Sequence, residues 1–280
     1  MRKPTFLQQA AYQLIFLVVA IFVLLPIWEL AYLAFEGGII GWPTEFRLLP
    51  VKPTFEVFVT MWQRAGQSVT FLTALRNSLV VSVGAAVLSI ALGASMAYAF
   101  ARFRFPGRQT GLFVLLLGTL LPPVALMTPL FILMRTMHLQ ATLLALTIVY
   151  ASFSMPFAIW NMRSAFQSIS RELEEAAFLD GAGHFTTFRL VSLPLALPAI
   201  GVAALVAFLI GYSEFAMGWL FVERAENVTL AMAISGILSG SNQSWSWMAA
   251  LAVLMSIPVV LIFILLQKAI LERMSFGGIE

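Results

Sequence analysis

Six apolar stretches run through the chain, at roughly 12–34, 76–100, 110–134, 141–161, 196–220 and 246–268. Each reaches the ~20 residues that a helix needs to cross the hydrocarbon core of a bilayer. Between the first two lies the longest polar stretch, about 35–75. There Gly37, Gly38, Gly41, Pro43, Pro50 and Pro53 punctuate an irregular segment carrying Glu45, Arg47, Lys52, Glu56 and Arg64. The pattern predicts an all-α integral membrane protein of about six transmembrane helices, with residues 1–280 forming a single transmembrane domain. The 35–75 stretch reads as a loop with a short helix.

Composition agrees and narrows the classes. The chain is 61% hydrophobic and 10% charged, against roughly 45–50% and about 25% in soluble domains. A net charge of +3, dispersed along the chain, gives no basis for nucleic-acid binding. There is no cysteine, which excludes disulfides and thiolate metal sites, and His138 and His184 alone cannot hold zinc. The apolar run after Arg2 and Lys3 is too long for a signal-peptide core and no small-residue cleavage site follows it, so it is expected to be a retained helix. Placing both termini in the cytoplasm puts ten of the sixteen Lys and Arg residues inside and six outside, in the sense of the positive-inside rule. In that orientation 35–75 is extracytoplasmic and 162–195 is the longest cytoplasmic stretch.

Two spans carry finer patterns. In the second, Ala85, Ser89, Gly93, Ala97 and Ala101 recur every four residues, a small face that lets helix backbones approach closely in lipid, either within the chain or against another subunit. In the third, Pro122, Pro123 and Pro129 predict a bend. Such a bend is either a packing feature or irregular backbone lining a water-filled cavity.

Residues 162–195 read as helix, glycine turn, helix. Ser170 is placed to cap the first helix, with Glu172 in its first turn. Leu173, Ala176, Ala177 and Asp180 share a face, and Gly181 or Gly183 supplies a left-handed ending. Pro194 and Pro198 lead into the fifth span. An alanine face is flat and suits a groove on another protein, with Phe178, Phe185 and Phe188 as anchors; the alternative is an amphipathic helix on the membrane or on its own bundle.

Glu175-Ala176-Ala177, three residues, Gly181, nine residues and Val191-Ser192-Leu193-Pro194 resemble the EAA loop of binding-protein-dependent ABC importer permeases. Asn77-Ser78-Leu79, the run from Ala97 through Arg102-Phe103-Arg104-Phe105-Pro106-Gly107-Arg108, and Leu121-Pro122-Pro123 resemble the carbohydrate permeases of the maltose type. The resemblance covers most of residues 11–270. It departs at the C-terminus, where Ser275–Glu280 is only a loose likeness of the family's glycine-rich tail. It departs again at Tyr212-Ser213-Glu214-Phe215, where relatives show a Trp-Asn-Glu/Asp-like run.

The resemblance implies a permease subunit of an ATP-driven sugar or oligosaccharide importer in a bacterial or archaeal cytoplasmic membrane. It further implies a second permease (a heterodimer is expected), two ATPase subunits that bind ATP and Mg, and an external solute-binding protein. Glu175, Ala176, Ala177, Asp180, Gly181 and Phe185 carry over as ATPase-coupling residues, with Leu193 and Pro194 orienting the helix pair. The chain itself is expected to have no catalytic residues and to bind no cofactor.

The three lysines, Lys3, Lys52 and Lys268, are followed by Pro, Pro and Ala, so none belongs to a phosphate-binding loop and hydrolysis must come from a partner. An intramembrane serine protease would need a nucleophile and a base, but no Gly-x-Ser-x-Gly elbow exists and Gly211-Tyr212-Ser213 is its nearest fragment. An ion-coupled carrier would show buried carboxylates in repeated broken helices, and no convincing repeat is seen. Glu214, in the fifth apolar run, either borders the translocation path with Tyr212 and Ser213 or pairs with a neighbouring subunit at the outer interface. Glu29 is read as an outer-interface residue, and Trp219, Trp245 and Trp247 as an interfacial belt or a docking surface for the binding protein.

Overall fold

The apolar runs fold as helices. A computed structural model describes residues 5–37, 47–65, 69–239 and 244–274, with side-chain surroundings to 265. Arg2, Lys3, Gly38, Gly41, Pro43, Glu45 and the Ser275–Glu280 tail lie outside the described residues. Four helices are long and apolar enough to span: α1 (Phe6–Phe35), α3 (Phe71–Arg102), α6 (Leu143–Ser168) and α13 (Trp245–Met274, apolar to Leu265). Two further spans are bent pairs, so the count is six if each pair crosses once. Helix α2 (Glu56–Gln63) is the short helix of the 35–75 stretch.

The first bent pair is α4 (Arg108–Leu120) and α5 (Pro123–Thr136), which meet at 104°. The hinge is where the prolines predict it. Leu121 is extended, and Pro123 opens α5 at a position where its missing N–H costs nothing. The second bent pair joins the helices of residues 184–195 to α10 (Leu197–Ser213) at 77°.

The chain divides into two compact units. One comprises Met1–Phe71 and Ile234–Ser256. Within it, the Glu36 carboxylate accepts from the backbone N–H groups of Val51 (2.6 Å) and Lys52 (3.1 Å), and the Trp28 indole donates to the Leu48 carbonyl. Both contacts pin the polar stretch to the end of α1, whose own apolar surface is exposed. A helix that is apolar all round and uncovered by its own chain suits a lipid or protein environment.

The other unit comprises Leu72–Ala233 and Ile257–Glu280 and holds two apolar clusters. Leu146, Val149 and Tyr150 of α6 pack with Val81 and Ala85 of α3 and with Met217 and Phe221. Farther along, Ile159, Met162 and Phe166 pack with Ala94, Ala97 and Tyr98. All five residues of the small face, Ala85 to Ala101, are buried within this chain. A β-carbon added at Gly211 of α10 would come within 3.1 Å of the Ser82 backbone, and one at Gly93 within 3.2 Å of Met162. Close backbone approach is therefore what the small residues achieve, and it is intramolecular.

The motif Asn77-Ser78 acts at long range. Asn77 donates to the carbonyls of Glu226 (2.7 Å) and Val228 (3.0 Å), and the Ser78 hydroxyl accepts from the Leu230 N–H (2.8 Å). These bonds fix the loop that leads into α12 (Leu230–Ser239), a short apolar helix with no counterpart in the hydropathy reading.

The fifth apolar run, expected as one span over 196–220, is corrected by the structure. Helix α10 ends at Ser213, Glu214 is extended, and a separate helix, α11 (Ala216–Phe221), follows.

Candidate functional site

After α6, the chain forms α7 (Arg171–Leu179), α8 (His184–Thr187), a π-helical turn (Phe188–Ser192) and α9 (Leu193–Leu195). Local chemistry sets the boundaries. The Ser170 hydroxyl accepts from the Glu172 N–H (3.3 Å), and Glu172 and Glu174 stand in the first turn, where the helix dipole favours negative charge. The helix ends in a Schellman arrangement: Gly181 N–H donates to Phe178 O (3.0 Å) and Ala182 N–H to Ala177 O (2.9 Å). That ending requires the left-handed φ of +86° found at Gly181. Gly183 is extended and only precedes α8, so of the two candidate glycines Gly181 is the terminator.

Glu174 anchors α7 to the bundle. It is buried, and its Oε1 accepts from Arg102 Nε (2.9 Å) at the end of α3 and from the Ser192 hydroxyl (2.6 Å) in the π-turn. Arg102 Nη2 also donates to the Ile169 carbonyl (2.9 Å). The side chains of this ion pair are 8% and 7% exposed. One buried pair thus ties together the end of the second span, the end of the fourth, α7, and the turn that leads to α10. Breaking such a pair from one side leaves a buried charge, at a cost of about 3–5 kcal/mol.

The residues singled out by the motif fall on the other side of α7. Glu175, Ala176 and Asp180 are exposed and Ala177 is half-buried. Leu173 and Leu179 are exposed beside them, Leu179 to 90%. Phe185 is 73% exposed. Phe178 lies edge-on to His184 at 5.0 Å and keeps part of its surface open. Phe188, expected as a third anchor, instead turns inward, 4.9 Å from Tyr98 and 6.1 Å from Phe166. Regular α-helical backbone joins the two, and Phe188 falls on the side of the helix that meets the core. Leu193 packs against the same cluster, whereas Pro194 is exposed. The sequence marks Arg102 and Ser192 only as members of the motif stretches, with no role, and Glu174 not at all. Beyond motif membership, the available signal is that Arg102 falls at the end of an apolar run and Glu174 next to a motif residue.

The second candidate region is the break after α10. Tyr212 is buried and stacks on Phe208 at 5.3 Å. Ser213 is exposed, and its hydroxyl donates to the Leu209 carbonyl of its own helix (2.7 Å). The Glu214 carboxylate accepts from the N–H groups of Ala216 (2.8 Å) and Met217 (3.1 Å), capping α11. The three residues are therefore consecutive but differently engaged: one packed, one satisfied by its own helix, one capping the next.

Comparison with known proteins gives the family. Residues 89–276 match the family described as "Binding-protein-dependent transport system inner membrane component". The chain is 30% identical over 236 residues to the trehalose transport system permease protein SugB of Mycobacterium tuberculosis, covering 84% of this chain and 85% of that one. It is also 30% identical over 233 residues to the maltose/maltodextrin transport system permease protein MalG of Salmonella typhimurium, covering 81% and 74%. Among solved structures, a chain of a bacterial ABC transporter involved in the import of the acidic polysaccharide alginate shares the fold. Its TM-score is 0.75 at 23% identity, covering 96% of this chain and 99% of that one. A chain of the inward-facing MetNI methionine ABC transporter matches with a TM-score of 0.59 at 20% identity, covering 77% and 98%. Membership sets aside the intramembrane-enzyme and ion-coupled-carrier readings: this multi-pass membrane chain belongs to the inner membrane components of binding-protein-dependent transport systems.

Proposed function

We propose that the chain is one of two permease subunits of an ABC importer for a sugar or oligosaccharide. On this reading it passes solute from an external binding protein to the cytoplasm, energised by two separate ATPase subunits that bind ATP and Mg. The trehalose and maltodextrin names of its 30%-identical relatives support the substrate class. Both termini and the 171–195 helices lie on the cytoplasmic side in the orientation favoured by the basic residues. The partner permease is a related but distinct chain.

The observation that carries the reading is the division of α7 into two faces. Outward, Glu175, Ala176, Leu179 and Phe185 form an open surface suited to a cleft on the ATPase. Inward, Glu174 is held by Arg102 and Ser192. A displacement imposed on the outer face is transmitted to α3 and toward α10, because slipping past the buried pair costs more than moving the helices together. ATPase closure shifts the equilibrium between inward-facing and outward-facing arrangements by its differential affinity for the two, and the helices respond by rigid-body motion. Gly181 keeps the docking surface short and clear. Glu214, with Tyr212 and Ser213, sits at a non-helical interruption of an apolar run, backbone of the kind tolerated where a cavity is lined, and is assigned to the translocation path.

The test is hydrolysis and uptake by the reconstituted assembly with liganded binding protein, for wild type and for a Glu175→Lys, Gly181→Asp variant. Assembly that survives with stimulated hydrolysis and uptake both lost supports coupling through α7. Retention of both activities refutes it.

A further inference from the structure

A cavity of about 540 Å³ opens beside the start of α4, with no residue of α7 in its lining. It is lined by three arginines, Arg104, Arg108 and Arg163, together with Gly107, Gln109 and Thr110, and no acidic residue lines it. Among the described residues none of the three guanidinium groups has a carboxylate partner. Arg163 reaches the cavity from α6 with its guanidinium 5.4 Å from the Trp160 ring centroid, and its Nε is buried with no hydrogen-bond acceptor. A buried charged donor without an acceptor is costly unless something supplies one. Three unneutralised cations converging on one cavity repel each other, and an anion removes that repulsion. The cavity also lies at the N-terminal end of α4, a 13-residue helix whose first N–H groups add to the positive potential.

We infer that this cavity binds a phosphate-type anion, namely the phosphodiester headgroup of an anionic lipid of the cytoplasmic leaflet. The inference rests on the orientation in the proposed function. The lipid, rather than an acidic segment of a protein partner, follows from what adjoins the cavity. On α4, Phe113, Val114 and Leu117 are exposed and apolar, beginning five residues, or about 8 Å, beyond Arg108. A headgroup seated on the arginines therefore has apolar helix surface alongside it for its acyl chains. Arginine matches this chemistry, because its planar fork donates two parallel bonds to phosphate oxygens.

The test uses the full-length chain purified alone, so it is independent of ATPase coupling. Native mass spectrometry and titration would compare retention of phosphatidylglycerol and phosphatidylcholine, with inorganic phosphate as competitor. The variants are Arg108→Gln with Arg163→Gln, and Arg189→Gln as a control elsewhere on the surface. The expected result is selective retention of phosphatidylglycerol by wild type, weakened about twenty-five-fold in the double variant at roughly five-fold per arginine, with no comparable loss in the control. Binding of inorganic phosphate at the same arginines without lipid preference assigns the anion site to a soluble source and overturns the lipid assignment. Equal retention of both lipids by wild type, with no phosphate effect, overturns the site, and needs no variant to fold. A separate pull-down with co-expressed ATPase in which the double variant loses association, while the purified wild type shows no lipid preference, gives the cavity to a protein partner and also overturns it. Labelling Gln109→Cys from either side of sealed vesicles, in a chain without native cysteine, tests the orientation separately.

Discussion

The helix pair and the break after α10 each contain a glutamate that determines local structure, and the two carboxylates are satisfied in opposite ways. Glu174 is bound by side chains from residues 72 positions earlier and 18 positions later. Glu214 is bound by backbone N–H groups two and three residues ahead of it. The first arrangement makes α7 part of the bundle. The second only stops one helix and starts another. Neighbouring residues sharpen the contrast: Glu174 and Glu175 are adjacent and chemically identical, yet one is buried in an ion pair and the other faces outward. On the proposed function, a motif glutamate next to a structural glutamate separates docking from anchoring within a single turn.

The strongest way to break this comparison is to remove Arg102. Arg102→Ala leaves the Glu174 carboxylate buried and unpaired and is expected to destabilise the chain by about 3–5 kcal/mol, read as thermal unfolding in detergent. Arg102→Met with Glu174→Leu should recover most of that loss, since apolar replacements of a buried pair are often neutral. If the single variant unfolds like wild type, α7 is not anchored by this pair. Next in size is Gly181→Ala, expected to cost about 1–2 kcal/mol because of its positive φ alone; no atom lies near the added methyl. Gly183→Ala, in extended backbone with equally open space, should change stability by less than about 0.5 kcal/mol. Equal effects would place the turn elsewhere.

Glu214→Gln exchanges a charged cap for a neutral one and should cost about 1 kcal/mol. Uptake by the reconstituted importer separates its two roles: a fall far beyond what stability explains supports the path assignment, and unchanged uptake reduces Glu214 to a cap. Smallest is Ser170→Ala, with a loss near 0.5 kcal/mol, the low end for an N-cap, consistent with its 3.3 Å bond. A loss as large as that of Gly181→Ala would mean that the start of α7 matters as much as its end.

Features set by nearby residues were legible in the sequence. Hydropathy located the spans, Pro122 and Pro123 located the 104° bend, and Ser170 was recognisable as a cap from its position before the helix. Features set by distant contacts were not. Nothing within a few residues of Glu174 distinguishes it from Glu175; the distinction comes from Arg102 on another helix. Phe185 and Phe188 look alike as anchors until packing separates them, one left outward and the other set against Tyr98 and Phe166 on distant helices. The end of α10 was hidden because apolar residues continue on both sides of Glu214, so hydropathy had no reason to stop. Small residues at four-residue spacing predicted close packing on α3, but only the folded chain shows that its partners are α6 and α10.

The central claim, that the outer face of α7 docks on the ATPase, is tested most directly by single-cysteine cross-linking, for which a chain without cysteine needs no prior substitution. Ala176→Cys and Leu179→Cys should cross-link to a co-assembled ATPase, with efficiency that changes between nucleotide-free and nucleotide-bound states, while Thr187→Cys, buried on the inner side, should not. Efficient cross-linking at Thr187 with none at Ala176 or Leu179 would contradict the account.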